Sequence, residues 1–414
     1  MSAALLPLAA QPELLLLAPS LPAPIDRGER LRWYHMLRYL SQHYRVHLGC
    51  FIDERHDRAH ISRIKALCYE TCLVPIPRTA RLASLHWLGR ARTAAIARQP
   101  DPAIASWTER LLRRHPIQAV LACSARMGAY LAPAAGCLRV VDLVDVESDQ
   151  RRHAASRLRW PLAALARRDA TRLLDHERTL ARSADHLLFA ANGHADLFAR
   201  LDPESAHKLH VIGNGVDADY YSPHILHRNP FPAGQRALVF AASMDDRANA
   251  AAAIWFARHV LVPLRADDPS LHLWVVGART APRLRALAGI AGVSVTGGVS
   301  DVRPYLAHAA LVVAPLQAGH GFRHKVLEAM AMQKLVIASP QAVDDLSLRP
   351  GDELLIADGA HAYLNQVRAA LGRIDTAAIG RAARARVLHE HGWAARMAPL
   401  AALIESCGAR HASA

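Results

Sequence analysis

Short apolar, β-rich runs recur along this chain between longer stretches of helical periodicity, at 14–18, 45–51, 71–76, 117–122, 138–144, 186–190 and 208–212. A second series follows at 237–242, 271–276, 293–296, 311–316, 335–339 and 354–357. A parallel neighbour is reached only through a crossover long enough to hold a helix, so this alternation predicts parallel sheets wound with helices on both faces. Between the two series, the stretch from Tyr221 to Gly234 carries Pro223, Asn229, Pro230 and Pro232, lacks periodicity and reads as a linker. The expected fold is therefore α/β, with two doubly wound domains facing across a cleft. The N-terminal domain is expected at 1–222, the linker at 223–234, the C-terminal domain at 235–388 and a C-terminal helix and tail at 389–414. A length of 414 residues fits two cores better than one.

Composition narrows the class. No run reaches the ~18 unbroken apolar residues of a membrane span, and the apolar stretch 14–17 is too short for a signal-peptide core, so it reads as a first buried strand. Cys50, Cys68, Cys72, Cys123, Cys137 and Cys407 show neither CxxC pairing nor the dense framework of secreted domains, which suits a reducing, cytoplasmic compartment. The formal charge of +14 points to an anionic partner. Arg151, Arg152, Arg157, Arg159, Arg167, Arg168, Arg172, Arg178 and Arg182 are interleaved with leucines and alanines at helical spacing. That pattern is either a set of solvated helix faces or a basic, partly apolar surface resting on anionic lipid, peripheral at the inner membrane face. Nucleic acid is not expected, because neither a binding motif nor interleaved aromatics accompany the charge.

Ligands of open α/β sheets sit at the carboxyl ends of the strands, so the loops after these runs are where chemistry is sought. After the first run comes Pro22, Pro24, Asp26, Arg27, Gly28, then a helical pattern, where Gly28 permits close backbone approach and the helix start offers N–H groups to an anion. The alternative is an ordinary strand-to-helix turn. Asp217 and Asp219 spell DxD but follow an Asn-Gly turn at the linker entrance, and read as capping carboxylates rather than metal ligands. The most informative segment runs through Gly319, His320, Gly321, Phe322, Arg323, His324, Lys325 to Glu328. Lys325 and Glu328 lie three apart on one helical face near its start, a cation suited to a diphosphate and a carboxylate suited to the hydroxyl pair of a ribose. A plain surface Lys–Glu pair is the alternative. His389, Glu390 and His391 lack zinc-hydrolase spacing and are expected at the surface.

The run HGFRHKVLEAMAMQKLVIAS, with VIGNGVD upstream and VTGGVSDVRPYLAHAALVVAPL between, resembles the donor-binding domain of GT-B glycosyltransferases of family 4. PAPIDRGERLRWYHMLRYLSQHYRVHLGCF, VVDLVDVESDQ and MDDRANAAAAIWFARHVLVPLR extend the resemblance to sugar transferases associated with exosortase-linked exopolysaccharide clusters. The resemblance implies two Rossmann-like domains and transfer of a sugar, with retained anomeric configuration, from a nucleotide diphosphate sugar to a glycan hydroxyl on a lipid carrier, without a metal. Gly28 matches the glycine that approaches the donor phosphates, and Glu328 matches the second glutamate of the E-x7-E pattern, which contacts the donor ribose. Lys325 fits the diphosphate-binding cation, with Arg323 or Arg247 assisting. Val299, after Gly297 and Gly298, falls near the position whose backbone meets the base, and Gly321 lets the ligand come close.

The chain departs from the pattern in two places. His320 replaces the first glutamate of E-x7-E, so His320 or neighbouring backbone must hold the sugar. The usual N-domain histidine is absent, and VVDLVDVES places Asp145 near that position, with Asp142 on the same side only if the strand bulges. Asp145 is thus either a carboxylate that orients the acceptor or the sugar, or a cap. Two other readings stay open: a nucleotide-sugar epimerase, and a non-catalytic relative that binds nucleotide sugar as a partner subunit.

Overall fold

The structure, a computed structural model, describes residues 11–23, 28–76, 100–134, 136–156, 158–244, 246–277, 284, 287, 289–316, 323–344, 346–372 and 375–411. The chain divides into two compact units, Met1–Asn214 with Arg396–Ala414, and Gly215–Ala395. The division falls ahead of the expected boundary at 222 because Val216 donates to the His391 carbonyl at 2.8 Å, while Gly215 lies so close to Trp393 that an added Cβ would meet its backbone at 2.7 Å. Residues 215–222 thereby belong to the second unit. Of the expected C-terminal helix and tail, Arg396–Ala414 belongs to the first unit.

The first unit holds a 7-stranded parallel sheet of strands β1 (Glu13–Ala18), β2 (Arg45–Ile52), β3 (Glu70–Pro75), β4 (Ile117–Cys123), β5 (Leu138–Val144), β6 (His186–Phe189) and β7 (Leu209–Val211), in the order β3-β2-β1-β4-β5-β6-β7. β1 is buried along its whole length, as a central strand covered on both faces must be, whereas edge strand β3 is only half-buried. Leu15, Leu17, Val120, Val141 and Phe189 meet on one side of this sheet. The helix Pro102–Arg114 begins where Asp101 accepts from Ala103 N at 2.9 Å with proline at the first position, a start that leaves few orphan donors.

The second unit repeats the plan as a 6-stranded parallel sheet of β8 (Arg236–Ala241), β9 (Leu271–Val276), β10 (Val293–Val295), β11 (Leu311–Ala314), β12 (Val336–Ala338) and β13 (Leu355–Ile356), ordered β10-β9-β8-β11-β12-β13. Its core gathers Phe240, Phe256, Val313, Met330 and Tyr363. Every run expected from periodicity appears as a strand, and both sheets are doubly wound. In each, strand order reverses beside the first strand, between β1 and β4 and between β8 and β11. Those two reversals are where the loops part and a ligand can enter.

Candidate functional site

At the reversal of the second sheet, β8 leads into the helix Arg247–Phe256 and β11 leads into the helix Arg323–Ala331. Asp246 caps the first of these by accepting from Ala248 N at 2.7 Å, which puts exposed Arg247 at the helix start. On the second helix Lys325 Nζ lies 2.9 and 2.8 Å from the two oxygens of Glu328. The Lys325 side chain is 36% exposed and that of Glu328 12%, so the carboxylate is sheltered and the cation is not. Tyr221 lies just past the entrance to this unit, and burial, with the nearby Glu328 charge acting the same way, holds its phenol far above the usual range. Tyr220 stacks beneath Arg303, whose guanidinium lies 3.7 Å from the ring centre and binds Asp301. Arg384 braces the back of the same helix by donating to the carbonyls of Tyr221, Ala218 and Ala331.

The structure thus brings Lys325, Glu328 and Tyr221 together at the start of one helix, and places Arg247 and the backbone of Arg323 each at the first position of a helix beside the reversal. Val299 is half-buried in the loop after β10 and packs on the second core. His320 and Gly321 lie outside the described residues. Asp217 accepts from Asp219 N at 3.2 Å and Tyr220 N at 3.0 Å, and so closes a turn. His391 corrects the expectation of a surface histidine: it is 2% exposed, because the chain there bridges back to Val216.

At the reversal of the first sheet, Gly28 opens the helix Gly28–Leu40 that follows β1. One turn on, Arg32 is buried completely, with Nε and Nη2 on Asp142 at 2.8 and 2.9 Å and Nη1 on Ile212 O at 2.7 Å and Asn214 Oδ1 at 3.1 Å. β5 does bulge: its register against β6 shifts between Asp142 and Val144, and Val144 takes a φ of +67°. Ser124, just past the end of neighbouring β4, has a φ of +86°, and its hydroxyl is buried without a hydrogen-bond partner among the described residues. For a β-branched valine such backbone is a true outlier, and strain of this kind concentrates at sites where loops must be held in one shape.

Beyond the bulge, Asp145 accepts from Gln150 Nε2 at 2.6 Å. Burial raises its carboxyl above the usual range, the charges of Glu147 and Asp142 push the same way, and His194 opposes them. Glu177, from the helix Leu162–Ser183, reaches back to Ser148 N at 3.1 Å and Ser148 Oγ at 2.5 Å, and burial pushes its carboxyl up to about 7 despite those bonds. Sequence reasoning missed Arg32, Glu177 and Tyr221. A signal for Arg32 was available: Asp142 stands among the buried apolar residues Val140, Val141 and Leu143 of its strand, and a carboxylate there requires a cation.

Glu13, His47 and His115 form a further cluster at the amino ends of the first sheet, with Glu13 Oε2 at 2.8 Å from His47 and 2.9 Å from His115. Glu13 Oε1 already pairs with Arg45 at 3.1 Å, so both oxygens are satisfied within the protein and an added cation would sit beside a guanidinium.

Comparison with known proteins places these features in a family context. Residues 235–373 match the family model for glycosyl transferases group 1. No curated protein matches the chain. Among solved structures, the chain is similar to a glycosyltransferase from Rickettsia africae ESF-5, at 13% identity and a TM-score of 0.62 over 96% of this chain and 99% of that one. It is also similar to Anabaena Alr3699/HepE in complex with UDP, at 14% identity and 0.59 over 95% and 100%. WaaG, a glycosyltransferase involved in lipopolysaccharide biosynthesis, matches at 14% and 0.57 over 94% and 98%. These likenesses establish the GT-B fold expected from the sequence.

Proposed function

We propose that this chain is a retaining glycosyltransferase that moves a sugar from a nucleotide diphosphate sugar to a hydroxyl of a glycan acceptor carried on lipid, in exopolysaccharide or cell-surface glycan assembly. The observation that carries this reading is the pairing of Lys325 and Glu328 near the start of the helix after β11, inside the segment that matches the family model. Glu328 meets the ribose diol, and Lys325 meets the diphosphate. The pair between Lys325 and Glu328 does not stand in the way, since a partly exposed i,i+3 ion pair contributes only about 0.2–1 kcal/mol and yields readily to a dianionic diphosphate. In the reaction the bond from the anomeric carbon to the diphosphate breaks, the acceptor oxygen takes its place on the same face, and the acceptor's proton passes to the departing phosphate. Lys325, Arg247, Arg323 and the helix N-terminus stabilise the charge that develops there without a metal. His320 or adjoining backbone holds the donor sugar, with Gly321 giving it room. Gly28 and Val299 approach the donor through backbone, and Asp145 orients the acceptor.

A thermal-shift titration with UDP, GDP, ADP and dTDP, with and without magnesium, tests the donor site. A nucleotide at 100 times its Kd raises stability by about 2.7 kcal/mol. A shift with one nucleotide, equal with and without magnesium, is expected; no shift with any of the four would overturn the reading.

A further inference from the structure

The helices Glu147–Ser156 and Leu162–Ser183 form a hairpin that leaves the carboxyl end of β5 and returns to feed β6. Because β5 and β6 are parallel, the long helix makes the return, so the tip of the hairpin lies on the carboxyl-end side of the first sheet. That helix, at 22 residues, runs about 33 Å, whereas a seven-residue strand runs about 23 Å. Its buried positions, Ala170, Leu173, Glu177, Leu180 and Ala181, all fall in the later two-thirds. From 158 to 168 no described residue is buried. The tip nevertheless carries large apolar side chains: Trp160 is 83% exposed, Leu165 52% and Leu158 43%. Around them Arg159, Arg167, Arg168 and Arg172 are exposed, and Leu165, Arg168 and Arg172 share one helical face by their spacing. Not every arginine of this region joins the patch. Arg151 pairs with Glu147 at 3.2 Å, Arg152 pairs with Asp149, and Arg178 turns inward onto Leu201 O at 2.6 Å.

We propose that this hairpin tip is a docking element for an anionic lipid bilayer, with Trp160, Leu158 and Leu165 entering the headgroup boundary and Arg159, Arg167, Arg168 and Arg172 meeting lipid phosphates. Tryptophan is the side chain best suited to that boundary, and exposed guanidinium groups close in sequence to the apolar tip complement a negative surface. A second copy of the chain fits poorly, because a symmetric contact would oppose the same cations. Nucleic acid also fits poorly, since one exposed aromatic offers no series of stacking platforms. The inference stands on the hairpin alone and does not depend on the donor site.

The test is flotation of the full chain with vesicles of phosphatidylcholine, alone or with 40% phosphatidylglycerol. Enrichment on the anionic vesicles, reversed by high salt, is expected. Trp160→Ser should lower the partition coefficient by about tenfold, and Arg159→Glu with Arg168→Glu by roughly thirtyfold or more. All three sites are exposed, so melting temperatures should match that of the parent. Absence of enrichment would overturn the proposal, as would variants that float like the parent. Tighter binding to an oligonucleotide, or a dimer abolished by Trp160→Ser, in either case without vesicle enrichment, would reassign the patch. A nucleotide-induced thermal shift that persists while flotation fails leaves the donor site standing.

Discussion

Arg32 and Asp142, 110 residues apart, bind each other through two parallel hydrogen bonds of 2.8 and 2.9 Å at 0% and 1% side-chain exposure. Through Nη1 the same guanidinium also holds the carbonyl of Ile212 and the side chain of Asn214, so one buried cation ties the helix after β1 to β5 and to the turn after β7. Removing either partner leaves a buried charge uncompensated. Arg32→Ala or Asp142→Ala should each destabilise the first unit by about 3–5 kcal/mol, measured by urea unfolding. The double variant should lose much less than the sum, and additive losses would mean that the pair is not the unit of stability.

Lys325 and Glu328 should separate turnover from binding. Lys325→Ala is expected to lower kcat by about 10² or more, the effect of losing one preorganised donor at developing charge. Glu328→Gln should instead weaken nucleotide affinity in calorimetry. Near-parental kcat for Lys325→Ala would remove that residue from the mechanism.

Stability should fall toward both acid and alkali, for different reasons. Glu177 has a folded value raised to about 7 against an ordinary 4.5, so its contribution is full below 4.5 and is lost as pH rises through 7. That loss is about 3 kcal/mol by linkage. Glu177→Gln keeps the contact with Ser148 and should raise Tm at pH 8–9 relative to the parent. Burial lowers His47, and its hydrogen bond to Glu13 helps hold that carboxyl down against burial, so both contribute above their ordinary values and lose stability as pH falls. His47→Gln should flatten the acid limb while leaving the alkaline limb unchanged.

Gly380 sets the seat of the helix Thr376–Arg386 against the end of the helix that carries Lys325. A Cβ there would come within 2.1 Å of the Gln333 carbonyl, a backbone atom that cannot swing aside. Gly380→Ala should therefore destabilise the second unit by about 1–3 kcal/mol. The denaturation midpoint reads this directly, and an unchanged midpoint would show that the helices separate freely.

Periodicity alone was enough for the strands, because a parallel sheet buried on both faces demands apolar runs such as Leu14–Leu17, and the helices between them follow from the crossover each parallel pair needs. Local spacing likewise brought Lys325 and Glu328 to one face, since three residues along a helix is close to one turn whatever the rest of the chain does. The Arg32 pair and the reach of Glu177 to Ser148 are contacts between residues far apart in the chain, and the bulge at Val144 is set by how β5 lies against β6. Their partners are chosen by which strands lie side by side and by how few polar groups remain buried with them, and no local pattern carries that choice. The domain boundary was displaced for the same reason: Val216 joins the second unit through a hydrogen bond to His391, made only once the fold has closed.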